Sequence, residues 1–177
     1  MNLRSPFRPL SPEATIYWCQ HSTPLGAMVL AASDAGVAGA WFVGQKHFSG
    51  VAAGWVEDPQ AACLPAAAQQ LTEWFAGTRQ DFDLPLAPAG TEFQRQVWAA
   101  LLQIGHGQTR SYGELAAVLG RPGSARAVGA ATGRNPMSII VPCHRLLAQG
   151  GALTGYAGGL ERKAALLAFE ADQQACG

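Results

Sequence analysis

Pro85 and Pro88 fall within the segment Asp81–Gly90, and they constrain the fold more than any other feature of the chain. A proline has no backbone N–H and a fixed φ, so this stretch joins neither a helix interior nor a central strand. The hydrophobic pattern also changes across it, from alternation before to helical spacing after. The segment reads as a linker between residues 1–88 and residues 89–177.

The first part reads as strands. In Ala14–Gln20, Ile16 and Trp18 alternate with Tyr17 and Cys19, and Leu25–Ala32 and Gly36–Val43 follow. The last two are separated by the turn signal Ser33-Asp34-Ala35-Gly36, which predicts an antiparallel meander. A helix is expected from Pro65 to Phe75, with Leu71, Trp74 and Phe75 inward and Gly77 as its stop.

The second part reads as helices with clear punctuation. Thr91-Glu92-Phe93-Gln94 is a capping box, followed by Phe93, Val97 and Leu101 on one face with Trp98 and Leu102 beside them. That helix is expected to stop near Gly105. Ser111-Tyr112-Gly113-Glu114 is a second capping box, opening a helix with Leu115, Val118 and Leu119 inward. Gly120-Arg121-Pro122-Gly123 makes a turn, and Ser124 is expected to cap a third helix ended by Gly133 and Asn135-Pro136. Two short helices joined this way form a helix-turn-helix pattern. The second is nearly bare: Ala125, Ala127, Gly129, Ala130 and Ala131, with Arg126 as its long side chain. A major-groove reader needs several Arg, Asn or Gln side chains. Small residues suit instead a close approach to a nucleic-acid backbone or minor groove, or tight helix packing. Both readings stay open at this point.

Charge sharpens the picture. The formal net charge is zero. Residues 1–90 hold four Lys/Arg against seven Asp/Glu, and residues 91–177 hold eight against five. Five arginines (Arg110, Arg121, Arg126, Arg134 and Arg145) accompany the single acid Glu114 between positions 110 and 145. That is an electrostatic footprint for nucleic acid or an ordinary solvated surface. The 49% hydrophobic content argues against a disordered chain. No apolar run approaches the ~20 residues of a membrane span, and Met1–Pro12 lacks the apolar core of a secretory signal. A cytoplasmic protein with no membrane partner is expected. Cys19, Cys63, Cys143 and Cys176 show no CxxC spacing and read as free thiols. Cys19 and His21 fall short of the ~4 ligands of a structural zinc site, so no metal is expected.

The chemistry concentrates near Cys143. Ser138-Ile139-Ile140-Val141 is a β-branched run leading into Pro142-Cys143-His144-Arg145. This predicts a cysteine at the end of a buried strand, with cationic neighbours pulling its pKa down from about 8.5. A Cys-His pair alone is equally what a buried structural cysteine with a neighbour looks like. A glycine-rich stretch, 150–159, can bring backbone close to a ligand. The last helix, Leu160 to Glu170, is expected to bury Leu160, Ala164 and Leu167, with Glu170 at the edge of that face. A carboxylate there requires a partner. Glu170, His144 and Cys143 would make an acid–base–nucleophile relay.

These residues together resemble a known family, the methylated-DNA–protein-cysteine methyltransferases, also called O6-alkylguanine-DNA alkyltransferases. The resemblance covers nearly the whole chain. It is strongest in Thr91-Glu92-Phe93-Gln94 with Val97-Trp98, Ser111-Tyr112-Gly113-Glu114-Leu115-Ala116, and Arg126-Ala127-Val128-Gly129. It continues through Asn135-Pro136, Val141-Pro142-Cys143-His144-Arg145, and Gly155-Tyr156-Ala157-Gly158-Gly159-Leu160 with Glu170. In the first part, Phe42-Val43-Gly44-Gln45-Lys46-His47 also fits.

The resemblance implies an α+β fold: a small N-terminal antiparallel-sheet domain, ribonuclease H-like, and a mainly helical, winged helix-turn-helix-like C-terminal domain carrying the active site. It implies irreversible, single-turnover transfer of an alkyl group from O6-alkylguanine in duplex DNA to Cys143, after the nucleotide flips out, with no cofactor and no obligate protein partner. Activity on O4-alkylthymine is left open. His144 would take the thiol proton by way of a water, Glu170 would orient His144, and Asn135 would hold the cysteine-bearing turn. Arg126 would fill the gap in the base stack. Tyr112 would assist rotation and donate to the guanine ring. Backbone groups of Val141 and Cys143 would read the guanine edge, Tyr156 would line the pocket, and the Ala157 amide would face O6. Ser111, Ala125, Ala127, Gly129 and Arg134 would lie along the DNA. Two departures, Gly105-His106 in place of a proline-containing turn and Arg134, bear on DNA affinity more than on chemistry. Three rivals remain: a lesion-flagging binding protein, which would lack the acceptor cysteine; a helix-turn-helix transcription factor; and a cysteine hydrolase, which would turn over repeatedly.

Overall fold

The computed structural model describes residues 5–175. The chain divides into two compact units, Met1–Gly90 and Thr91–Gly177.

The first unit is built on a four-stranded sheet in the order β3-β2-β1-β4. Strands β1 (Tyr17–Thr23), β2 (Gly26–Ser33) and β3 (Gly36–Phe42) form the antiparallel meander. Ser33 Oγ accepts from the Ala35 amide at 3.2 Å and closes the β2–β3 turn. The run Met28-Val29-Leu30-Ala31-Ala32 is buried throughout, as expected of an interior strand covered on both faces. Strand β4 (Val56–Glu57) pairs parallel to β1 over two residues. Its two residues carry no periodic signal, and the sequence pattern missed it. Helix α1 (Leu64–Phe75) packs Leu64, Ala67, Leu71 and Trp74 inward, while Phe75 sits half-buried, edge-on to Trp74.

The proline segment is more than a linker. Val37 N–H donates to Pro85 O at 2.8 Å, Ala87 N–H to Val37 O at 2.7 Å, and Arg8 N–H to Leu86 O at 2.8 Å. Leu86 and Ala87 are buried. Prolines are tolerated on such an edge because their missing N–H faces away from the ladder. Gly36, at φ +144°, permits the approach: a Cβ there would lie 2.3 Å from Pro85 O.

In the second unit, helix α2 (Glu92–Leu101) begins with the expected capping box. Gln94 N–H donates to Thr91 Oγ1 at 3.2 Å, and Thr91 N–H to Gln94 Oε1 at 2.9 Å. Val97, Trp98 and Leu101 are buried, while Phe93 is half-buried under the Arg121 guanidinium, 5.1 Å from its ring centre. Strand β5 (Arg110–Ser111) leads into helix α3 (Tyr112–Val118), whose box joins Ser111 and Glu114 at 2.6 and 3.1 Å. The inward residues of α3 are Leu115 and Ala116; Val118 is exposed, contrary to expectation. Helix α4 (Ala125–Gly133) starts at Ser124, whose side chain makes no capping bond because its backbone, near φ −91° and ψ 22°, is not extended. Trp98 Nε1–H donates to Ala131 O at 2.9 Å and ties α2 to α4.

A single 3-10 turn (Cys143–Arg145) is followed by strand β6 (Leu146–Leu147), which pairs parallel to β5. Helix α5 (Leu160–Ala175) closes the unit. Its inward face is Lys163, Leu166 and Glu170; Leu160 is exposed, and Ala164 and Leu167 are only partly covered. The polar groups of this helix, not its leucines, set its rotation.

Candidate active site

Cys143 sits on a turn, not at the end of a strand. Ser138-Ile139-Ile140-Val141 is wholly buried yet forms no ladder. Ile140 N–H donates to Ser138 O at 2.9 Å across Ile139, which lies at φ +72°. Cys143 N–H donates to Val141 O at 2.8 Å across Pro142, at φ −80° and ψ 60°. These are two γ-turns, the first of the rare positive-φ kind. A β-branched residue in that region is strained, by on the order of 1–3 kcal/mol, and persists only where its surroundings over-determine it.

Asn135 does the over-determining. Its Oδ1 accepts from Met137 N–H at 3.0 Å. Its Nδ2 donates to Met137 O at 3.2 Å, Val141 O at 3.0 Å and Cys143 Sγ at 3.1 Å. One buried amide therefore replaces the partners that a strand would supply and also donates to the sulfur. Val141 is fully committed to the turn. Its N–H donates to Met137 O, and its carbonyl already accepts from Asn135 and Cys143, which fills two lone pairs. The base-reading role expected of Val141 backbone has no acceptor left there.

The relay residues are brought together. His144 and Glu170 are completely buried, with Nε2 and Oε1 2.9 Å apart. Arg145 clamps the same carboxylate: Nε lies 3.1 and 3.0 Å from its two oxygens and Nη2 2.7 Å from Oε1. Arg145 Nη1 donates to Ile104 O at 2.5 Å, and Gly107 N–H to Glu170 Oε2 at 2.9 Å. The turn at 105–107 thus orients the carboxylate. Burial alone would raise the Glu170 pKa, but the bonds from His144 and Arg145 outweigh it and hold the group at about 2. An ionised Glu170 accepts from Nε2–H, which fixes the neutral imidazole with its lone pair at Nδ1. Burial pushes the His144 pKa below its ordinary value despite the carboxylate.

Two expectations about charge change. Arg145 is spent on Glu170 and is buried, so it belongs neither to the cysteine's surroundings nor to a surface footprint. The Cys143 thiol is pushed up, not down: burial raises its pKa, against the opposing pull of the Asn135 donor, Lys163 and nearby backbone amides. At rest the sulfur is a protonated thiol.

The remaining predicted residues fall in two groups. Tyr112 lies at the start of α3, behind the Ser111 cap, and its hydroxyl donates to Thr154 O at 3.1 Å and Gly155 O at 3.2 Å. Burial raises its pKa, and its phenol shares the electrostatic environment of Cys143. Tyr156 is pushed well above its ordinary value, by burial and then by Cys143. Ala157, next to it, is partly covered. Gly129 packs beneath the Tyr112 ring, with room for only ordinary contact at 3.7 Å. Along α4, Arg126, Ala127, Ala130 and Arg134 are exposed and Ala125 is partly covered. Gly123, Ser124, Ala125, Arg126, Ala127 and Ala130 line a shallow depression there.

Sequence reasoning missed Lys163. Its side chain is completely buried, and its Nζ donates to Leu146 O and, at 2.6 Å, to Thr154 O. A lone lysine three residues into a helix gives no signal of such burial. Cys19 and Cys63 are free thiols; burial raises both pKa values, and Cys176 lies outside the described residues. His21 Nε2 lies 3.4 Å from Thr72 Oγ1.

Residues 92–172 match the family model described as 6-O-methylguanine DNA methyltransferase, DNA binding domain, and residues 16–88 match its ribonuclease-like domain. The chain is 48% identical to a methylated-DNA--protein-cysteine methyltransferase of Mycolicibacterium paratuberculosis, over 84% of this chain and 88% of the relative. It is 44% identical to the protein of that name from Methanosarcina acetivorans, over 88% of this chain and 98% of the relative. Among solved structures, the Mycobacterium tuberculosis OGT in complex with DNA is similar with a TM-score of 0.82 and 43% identity, covering 89% of this chain and 94% of that one.

Proposed function

The chain belongs to the 6-O-methylguanine DNA methyltransferase family, and we propose that Cys143 is the sulfur on which its DNA-repair alkyl transfer ends. The observation that carries this reading is the buried Cys143 sulfur held by Asn135 beside a His144–Glu170–Arg145 chain. That arrangement keeps a thiol inert until a substrate fills the pocket, and provides a neutral base whose tautomer is fixed.

The chemistry follows from the charges. His144 takes the Cys143 proton through a bridging water, and the imidazolium formed is stabilised by ionised Glu170. The thiolate attacks the alkyl carbon. The S–C bond forms as the C–O6 bond breaks, and its electron pair returns to the guanine ring system. The proton lost by sulfur is regained by the base, which restores guanine. The product is a thioether with no leaving group, so each chain acts once. No step calls for a cofactor.

An O6-alkyl group inside a stacked duplex is out of reach of a buried sulfur, so the nucleotide must rotate out, at a cost of about a few kcal/mol. In this reading the bare, exposed face of α4 enters the minor groove, Arg126 occupies the gap in the stack, and Arg134 meets phosphate. Ser111, Ala125, Ala127 and Gly129 border the same path. Tyr112 donates to a ring nitrogen, the Ala157 amide faces O6, and Tyr156 walls the pocket. Donors placed where charge develops lower the barrier to leaving-group departure. Among the described residues no helix is long and apolar enough to cross a membrane, and we place the protein in the cytoplasm with duplex DNA as its partner.

Peptide mapping after reaction with duplex DNA carrying O6-methylguanine tests the acceptor. The methyl group is expected on Cys143, and Cys143→Ala is expected to bind the duplex and transfer nothing. Transfer by Cys143→Ala, or methyl on Cys19 or Cys63, overturns the assignment.

A further inference from the structure

Lys163 is a cation with no exposed surface, in contact with the pocket and unused by the reaction described above. Burying an ammonium is costly unless it is paired and hydrogen-bonded. Its partners are two carbonyls from different segments, Leu146 O in β6 just after the cysteine turn, and Thr154 O in the glycine-rich loop. It also lies 5.9 Å from the centre of the Tyr112 ring. Thr154 O is shared, because it accepts from the Tyr112 hydroxyl as well. In this state Tyr112 spends its proton on the loop, on Thr154 O and Gly155 O. To donate to a bound base it must release those carbonyls, and Lys163 is the donor that keeps Thr154 in place when it does.

We infer that Lys163 is a positioning residue for alkyl transfer: its buried ammonium holds the 150–159 loop against β6 while Tyr112 turns to the base, and stabilises the Cys143 thiolate as it forms. The inference rests on Cys143 being the acceptor. Four titratable groups bear on that sulfur or its proton: Lys163 from α5, Tyr112 from α3, Tyr156 from the loop and His144 beside it. At neutral pH only Lys163 among these is a cation, since burial keeps His144 neutral and both phenols are raised. Burial lowers the Lys163 pKa to about 8, against the upward pull of Cys143, so the group is charged where the reaction must run.

The test is single-turnover methyl transfer from an O6-methylguanine duplex, followed from about pH 6 to about pH 10 in the wild type, Lys163→Met and Lys163→Arg. Lys163→Met is expected to lose about 100-fold in rate at neutral pH and to move the rising limb of the profile up by about one unit or more, because the thiolate has lost its cation. Lys163→Arg is expected to return the limb toward its wild-type position. A loss equal at every pH, with the limb unmoved, overturns the inference. So does full rate in Lys163→Met. If Lys163→Met fails to fold, nitrogen NMR of the Lys163 amine in the wild type and Cys143→Ser decides. Titration about one unit lower in Cys143→Ser supports the charge coupling, and identical midpoints overturn it. A wild type that transfers nothing refutes the acceptor assignment itself and leaves the amine titration to judge Lys163.

Discussion

At Glu170 burial and ion pairing pull in opposite directions, and the pairing wins because four donors converge on two oxygens. The consequence for pH is directional. The Glu170 pKa is depressed, so its contribution to stability is complete above its ordinary value of 4.5 and is lost as pH falls toward about 2. His144 is also depressed, so it resists protonation in the fold while the unfolded chain accepts a proton below about 6.5. Both effects make acid destabilising. Urea midpoints measured from about pH 8 to about pH 3 should fall first near the imidazole range and again below the carboxylate range. His144→Gln should remove the first decline. A wild-type midpoint flat between about pH 8 and about pH 5 contradicts a buried neutral imidazole. Arg145→Met leaves Glu170 short of its main counter-charge and should cost about 3–5 kcal/mol in the same assay. Arg145 was visible in the sequence beside Cys143, but its partner was not, since Glu170 lies on another helix.

The capping boxes at Thr91 and Ser111 were legible because every atom they use lies within four residues. The run at 138–141 was not. Its β-branched residues have the composition of a strand, yet the groups that satisfy its backbone come from the Asn135 side chain, and no local pattern announces that. Helix α5 was legible as a helix but not in its rotation. Its leucine stripe pointed one way, while carbonyls at 146 and 154 and the guanidinium at 145 drew Lys163 and Glu170 inward. Helix α4 was legible in both respects, since a face made of alanine and glycine has little to bury. Its one long side chain near the start, Arg126, is exposed and available to a duplex. Arg126→Ala should slow repair of duplex O6-methylguanine by about 100-fold, on the order of the unstacking cost. Reaction with the free modified base should change little. Equal losses on both substrates contradict the stack-filling role.

For the whole molecule, every residue placed in the reaction belongs to the second unit, from Ser111 to Glu170. The first unit was legible as an antiparallel meander with one helix, while the short parallel strand β4 and the edge pairing of Leu86 depend on contacts between distant segments. The chain holds one activated sulfur, and methylation converts it to a thioether that nothing in the site can cleave. Stoichiometry therefore tests the reading most directly. Incubate the protein with a large excess of duplex bearing O6-methylguanine, and count restored guanines per chain at completion. The expected result is a plateau at one guanine per chain, matched by one methyl on Cys143. Guanine that continues to accumulate beyond one per chain, with Cys143 still a free thiol, would contradict it.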